Sequence, residues 1–233
     1  MNLVSLRTFS RLTIPSAKKN RISPTNLNLV INEVVKDLNI RLKLLKQDDK
    51  FNAVADQYKY DLSDSEETIS RFAKIDNLGL YWNSGSATSP DWTRIVPKTL
   101  RWLDKNVSQW RDAESGDPMY YAKKGKYLYT YPTPDTALDN GFWLYYIENP
   151  TSMSKNSDFP FGATTEISEY AFLSKTIIKG VESWLLSSIG KEQLAQTAFQ
   201  TYIGMVEDNR KTLQYNLDIT SDKEVRLRIS RVC

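Results

Sequence analysis

Asp61, Asp64, Glu66 and Glu67 make up the densest cluster of potential acid–base groups, within Asp61-Leu62-Ser63-Asp64-Ser65-Glu66-Glu67. Two carboxyls are what hydrolysis of a glycosidic bond requires, but they must converge from different elements, and neighbours in one polar stretch do not. A calcium loop needs a central glycine and a fixed ligand spacing, and both are missing here. The cluster therefore reads as a solvated loop, and Asp48-Asp49 as the polar end of a helix. The chain has no histidine, which removes Ser-His-Asp and Cys-His catalysis and imidazole-ligated zinc. One cysteine, Cys233, allows neither an internal disulfide nor a thiolate cluster. The nine glycines nowhere fall at the spacing of a dinucleotide-binding loop. Tyr120 and Leu185 stand where a phosphate-binding loop ahead of Gly125-Lys126 or Gly190-Lys191 needs its first glycine. Only paired carboxylates, a Ser–Lys dyad or an oxygen-ligand metal site survive as chemistry. No catalytic, cofactor-binding or metal-binding residue is expected, and no enzyme activity.

The second chemical resource is aromatic. Residues 81–146 hold 14 of the 27 aromatic side chains and five of the six tryptophans, Trp82, Trp92, Trp102, Trp110 and Trp143. Exposed rings stack on sugars and on nucleobases, so a carbohydrate- or nucleic-acid-binding module is the alternative reading. Base stacking usually comes with interleaved cations, and only Lys123, Lys124 and Lys126 lie close to the tyrosine block. Core and subunit interface, both rich in Trp and Tyr, are the favoured fates.

Charge is mild overall, +3, but uneven. Residues 1–24 contain Arg7, Arg11, Lys18, Lys19 and Arg21 and no acid. Such a start resembles an organelle transit peptide in composition, yet reads more simply as the head of a soluble intracellular protein. We expect it to act as a basic arm on a protein partner or DNA. No apolar run approaches the length of a membrane span, and no membrane partner is expected.

These groups must be held by a scaffold that proline divides. With 233 residues, the chain makes one large domain or two small ones. Seven of nine prolines lie between positions 90 and 160, so strands and loops should fill the middle, with helices on both sides. Ser23-Pro24 caps a helix over 25–47 whose Leu27, Val30, Ile31, Val34, Leu38, Leu42 and Leu45 repeat at helical steps. Leu29, Ile40 and Leu44 widen that stripe, so the helix should meet more than one neighbour. A helix over 164–189 opens on Glu166 and Glu169 and should bury Ile167, Tyr170, Ile177, Ile178, Val181 and Leu185 before stopping near Gly190. Another over 191–216 carries Leu194, Ala198, Phe199, Tyr202, Val206 and Leu213 as core. Between them, a β-rich insert over 51–150 should contain strands near Asn52–Leu62, Phe72–Trp82 and Phe142–Ile147. It should also contain a hairpin turning at Lys123-Lys124-Gly125-Lys126. Aromatics on both faces of these strands call for cover on both sides, from helices or from a neighbouring subunit.

Over Glu224–Arg231 the polarity alternates strictly, a strand signature. Val225, Leu227 and Ile229 would form one face and Arg226 and Arg228 would line the other, with Arg231 adding a further cation at the end. A strand of this kind either augments a partner's sheet or forms an arginine-protected edge of the protein's own sheet.

The order of landmarks from about Ser23 to Leu217 resembles the head–tail connector (adaptor) proteins of tailed bacteriophages. The resemblance is carried by Ile31-Asn32-Glu33 in the first long helix, Tyr60-Asp61-Leu62, Trp110 and Gly116-Asp117-Pro118-Met119-Tyr120-Tyr121. Leu128-Tyr129-Thr130-Tyr131-Pro132-Thr133-Pro134-Asp135, Tyr145-Tyr146, Pro150 and the closing helix pair complete it. Ser63 stands where relatives tend to have proline, and the Met1–Arg21 head and Glu224–Cys233 tail lie outside the shared pattern. The resemblance implies an α+β fold, an antiparallel helical bundle (one long N-terminal helix and two C-terminal ones) with a central aromatic-rich antiparallel β insert. The connector domain covers 25–217; the basic arm 1–24 and the strand-like arm 218–233 that flank it are read from the residues and not from the resemblance. The resemblance also implies a structural virion protein, a closed ring of typically twelve copies assembled in the host cytoplasm. That ring would dock under the portal in the neck, take part in genome packaging, extend the DNA channel and offer the tail its attachment surface. The implied partners are the chain itself, the portal protein, further tail or ring proteins, and double-stranded DNA passing without sequence-specific binding. From the alternating residues, and not from the resemblance, portal contact is expected at Val225, Arg226, Leu227, Arg228, Ile229 and Arg231.

Overall fold

The computed structural model describes residues 1–13, 22–63, 69, 71–112, 115–162 and 172–229, the stretch 215–229 as backbone only. The chain divides into a helical unit, residues 1–42 with 150–233, and a β unit, residues 43–149.

The helical unit contains α1 (Leu3–Leu12), α2 (Pro24–Leu42), α4 (Ser174–Ser188) and α5 (Glu192–Ile229). Pro24 opens α2 behind Ser23, whose Oγ accepts from the Asn26 N–H at 3.1 Å, leaving few amide donors of the first turn unmet. One face of α2 buries Leu27, Ile31, Val34, Val35 and Leu38. The helix stops at Leu42, short of the expected 47, because Lys43 turns to φ 54° and Lys46 is already paired with Ile147 in a sheet. Strand pairing overrides the helical spacing of Leu42 and Leu45. Gly180 lets α4 approach closely. A Cβ there would lie 2.7 Å from Val34 Cγ1 and 3.1 Å from the Tyr202 ring. At the same crossing the Tyr202 hydroxyl and the Arg41 Nε–H both donate to Asp37 Oδ2, each at 2.7 Å. Gly190, at φ +72°, closes α4 and turns the chain into α5 near the expected position. Of the anticipated core, Ile177, Val181, Leu185, Ala198, Tyr202 and Val206 are buried, whereas Leu194 and Phe199 face solvent. Glu166, Ile167, Glu169 and Tyr170 lie outside the described residues.

The β unit is built from β1 (Lys46–Ala53), β2 (Lys59–Asp61), β3 (Phe72–Asn83), β4 (Trp92–Pro97), β5 (Tyr120–Lys124), β6 (Tyr127–Tyr131) and β7 (Leu138–Glu148), with α3 (Leu100–Asn106) between β4 and β5. The strands form one sheet in the order β1-β7-β3-β4-β5-β6-β2. β4 and β5 are parallel and the other neighbours antiparallel. The sheet curls until its two edge strands face each other, with the Phe51 and Tyr60 rings 5.6 Å apart. Inside the curl, Phe51, Tyr60, Leu80, Trp82, Ile95, Leu128, Phe142, Leu144 and Tyr146 form the core. A second core of Leu103, Trp110 and Ala122 is ringed by Tyr58, Trp102, Tyr120, Tyr129 and Tyr131. The anticipated hairpin is present, with Gly125 at φ +60° in its turn.

The expected architecture needs correction. The middle of the chain is not an antiparallel insert carried by a helical bundle. It is a seven-stranded mixed sheet, and its core is its own. Its alternating aromatics supply an inner face, around Phe142, that closes on itself. The strand expected over Asn52–Leu62 is divided between β1 and β2, with Asp56 at φ 58° between them. The strand expected over Glu224–Arg231 is also corrected, since 224–229 continue the helix α5. Once α5 has begun, each further residue adds a backbone hydrogen bond at little entropic cost, which outweighs a short period-two pattern.

Candidate assembly surfaces

In the acidic loop, Asp61 accepts from Lys126 Nζ at 2.7 Å and from the Ser63 N–H at 2.8 Å. These bonds, Lys126 first, hold its carboxyl down at about 2. It is thus a tied strand end and not a proton carrier. Asp64, Glu66 and Glu67 lie outside the described residues. Among the described residues no three His, Cys, Asp or Glu side chains gather as a metal cluster, and no helix is long and apolar enough to cross a membrane.

Within the basic head, residues Leu3–Leu12 form a helix docked within the helical unit. α1 buries Leu3 and Leu6, its Leu3 N–H donates to the Asp158 carbonyl at 2.8 Å, and Asn2 caps it through the Ser5 N–H. Arg7 donates to Asn156 Oδ1, and Arg11 to the Ile22 carbonyl at 3.4 Å. Lys18, Lys19 and Arg21 lie outside the described residues. Of the C-terminal candidates, Val225, Arg226, Leu227, Arg228 and Ile229 belong to the helical backbone of α5, and Arg231 lies outside the described residues. The wide face expected on the first long helix is visible in part, because Leu29 stays 61 % exposed opposite the buried stripe. Trp184, at 58 % exposed, is a second apolar group that its own unit leaves uncovered.

Strand register assembles a group that the sequence analysis did not. Lys50 pairs with Trp143, Trp143 with Tyr81, and Tyr81 with Arg94, so cation, indole, phenol and cation stand in one row across β1, β7, β3 and β4. At about 4.8 Å between strands this row spans about 14 Å. Their sequence neighbours Phe51, Phe142, Leu80, Trp82 and Ile95 face the core, which puts the row on the outer face. Trp92 and Tyr145 flank it, with ring centroids 5.3 and 4.9 Å from Trp143. Lys50 Nζ lies 5.2 Å from the Trp92 ring and 5.1 Å from that of Trp143. Trp143 Nε1–H donates to Asp48 at 2.8 Å, and burial followed by the Asp48 charge pushes the Tyr145 phenol up. The rings are tilted against Trp143 by 62° (Trp92), 47° (Tyr81) and 36° (Tyr145). That relief is unlike the flat platform on which a sugar ring or a base stacks. Aromatics on both faces were legible as a need for cover. Lys50 and Arg94 were not, because only the pairing register brings them to the row.

The known proteins agree with a role in assembly. A search of curated proteins returned no match. The family model described as SU10 adaptor protein matches residues 1–218. That match takes in the basic head and ends ahead of the last turns of α5. The chain therefore belongs to the SU10 adaptor protein family, a family of phage head–tail adaptors, and is a structural protein of the phage neck.

Proposed function

We propose that the chain is the subunit of a closed ring, of about twelve copies, that docks under the portal, continues the DNA channel and presents the surface to which the tail attaches. The family match over residues 1–218 carries the reading. Head-to-tail contacts between identical subunits close such a ring. The apolar groups that the helical unit leaves uncovered, Leu29 and Trp184, are suited to them. In this reading the connector body spans 25–217, flanked by assembly segments 1–24 and 218–233.

Portal contact is assigned to the C-terminal segment, with Val225, Leu227 and Ile229 supplying apolar area and Arg226, Arg228 and Arg231 meeting acidic groups. The segment docks as a helix. A helical backbone satisfies its own N–H and C=O groups and has none to lend to a sheet edge, so strand addition is withdrawn. Arg7 and Arg11 already have partners within the helical unit, which leaves Lys18, Lys19 and Arg21 to meet DNA or protein. A conduit must not grip its cargo, because each neutralised phosphate adds salt-dependent affinity. The +3 net charge suits double-stranded DNA that passes without sequence-specific binding.

Deleting 222–233 tests the docking segment. Portal attachment should be lost while the circular dichroism spectrum keeps its strand signal and loses only the helix of the deleted turns. Undiminished attachment would refute the assignment.

A further inference from the structure

We propose that α1 of one copy of the chain docks through Val4, Phe9 and Leu12 on an apolar patch of the next copy, where α2, α4 and α5 expose Leu29, Trp184 and Phe199. The proposal rests on the ring reading and deepens it by naming the two faces that meet.

α1 is apolar on two sides. Leu3, Leu6 and Ser10 are buried within its own unit, whereas Val4, Phe9 and Leu12 on the opposite side are 41, 49 and 64 % exposed. Ser5 and Thr8 complete that outer face, so it carries no charged residue. The Thr8 hydroxyl donates to the Val4 carbonyl at 2.9 Å and needs no partner from solvent. A helix that is apolar on two sides is normally covered on both. Depletion of charge together with an aromatic ring is the composition of an interface centre. The helix is already held by its Asn2 cap and by the Leu3 N–H bond to the Asp158 carbonyl, so it docks at small entropic cost.

The same unit presents the complement, next to the crossing at Gly180. There α4 meets Val34 of α2 and Tyr202 of α5. The Tyr202 hydroxyl reaches Asp37, and Arg210 donates to the Arg41 carbonyl at 3.2 Å, so α2 and α5 run parallel. Asn209 donates to Thr176 Oγ1 at 2.7 Å, so α4 runs opposite to both. One turn from the crossing, on the side away from Arg41 and Arg210, stand Val30 of α2, Trp184 of α4 and Phe199 of α5. Val30 is half-buried, but Trp184 and Phe199 are exposed, and so is Leu29 beside Val30. The Phe199 ring leans on Tyr202, with centroids 6.2 Å apart, which fixes one wall of the patch. A ten-residue helix is about 15 Å long and about 10 Å across, and laid on such a patch it buries on the order of 1,000 Å² in all, where specific interfaces begin. Each copy carries one α1 face and one patch. Two different faces on one chain give a heterologous contact, the type that closes rings.

The test mixes two complementary variants of the full-length protein. One carries Phe9→Glu with Leu12→Glu and keeps the patch; the other carries Leu29→Glu with Trp184→Glu and keeps the α1 face. Alone, each should self-associate about tenfold or more weakly than wild type in sedimentation velocity at submillimolar concentration, and neither should form rings with portal. All four side chains are exposed, so the circular dichroism spectrum and thermal midpoint should hardly move. Mixed in equal amounts, the variants should form a one-to-one pair that grows no further, joining the α1 face of the second to the patch of the first. That pairing separates an interface from a folding defect. Unchanged self-association of either variant, or folded variants that do not pair, would overturn the proposal. So would variants that self-associate normally but lose portal attachment, because the faces would then belong to the portal. Rings that ignore all four substitutions sink this interface and leave the ring reading standing. A wild type that stays monomeric with portal present sinks both.

Discussion

The helical unit and the β unit solve the packing problem differently. In the helical unit a few close approaches decide the arrangement, with Gly180 against Val34 and Tyr202, and Asp37 gathering Tyr202 and Arg41. Its solvent side keeps apolar groups such as Leu29 and Trp184. In the β unit aromatic bulk fills both faces. One face closes into a core around Phe142, and the other remains as the row through Trp143. Helices can bury a single stripe and leave the rest polar. A curled sheet whose strands are aromatic on both sides cannot, so its outer face keeps rings that are only half-buried.

The sharpest way to break this contrast is to empty the smaller β core. Trp110 is 1 % exposed, with Nε1–H donating to Asp104 at 2.8 Å, and Trp110→Ala should cost about 3–5 kcal/mol. In urea denaturation the loss should register in the near-ultraviolet aromatic signal, while the helical far-ultraviolet signal moves less. A joint collapse at one midpoint would show that the two cores are not separate.

Next in size is the close approach in the helical unit. Gly180→Ala places a methyl 2.7 Å from Val34 Cγ1 and should destabilise by about 1–3 kcal/mol. Val34→Ala should relieve part of it. A neutral Gly180→Ala would mean the helices have room to separate.

Tyr202→Phe removes the hydroxyl that donates to Asp37 and should cost about 1–2 kcal/mol. Burial, and then the bond to Asp37, push the Tyr202 phenol far up. Folded protein thus keeps the proton where the unfolded chain, near its ordinary value of about 10, has released it. Stability should therefore fall as pH rises above about 10, less steeply in the Phe variant. Equal slopes in the two proteins would contradict a buried, proton-holding tyrosine.

The smallest effect should come from Asp61→Asn. The carboxyl is exposed and tied to Lys126, so only a slight drop in the denaturation midpoint is expected near neutral pH. Only below the ordinary carboxylate range, as pH falls through about 4 toward about 2, should the wild type lose a small advantage over the variant.

What the sequence made legible was local. Ser23-Pro24 marked the start of α2, Gly190 the end of α4, and Lys123–Lys126 the hairpin, because capping, positive φ and turn chemistry reside in a few adjacent residues. The order of strands was not legible. The parallel pairing of β4 with β5 and the curl that joins Phe51 to Tyr60 depend on contacts between distant segments. The same limit hid the row of Lys50 and Arg94. Periodicity misled in two places. Leu45 continued the stripe of α2 beyond its end, and the alternation in 224–231 imitated a strand inside a long helix.

The central claim is that the chain assembles into a ring on the portal, and mass photometry of the full-length protein with purified portal addresses it most directly. The account predicts a discrete complex whose mass exceeds that of the portal by about twelve copies of the 26.8 kDa chain. A protein that stays monomeric, and leaves the portal mass unchanged, would contradict it.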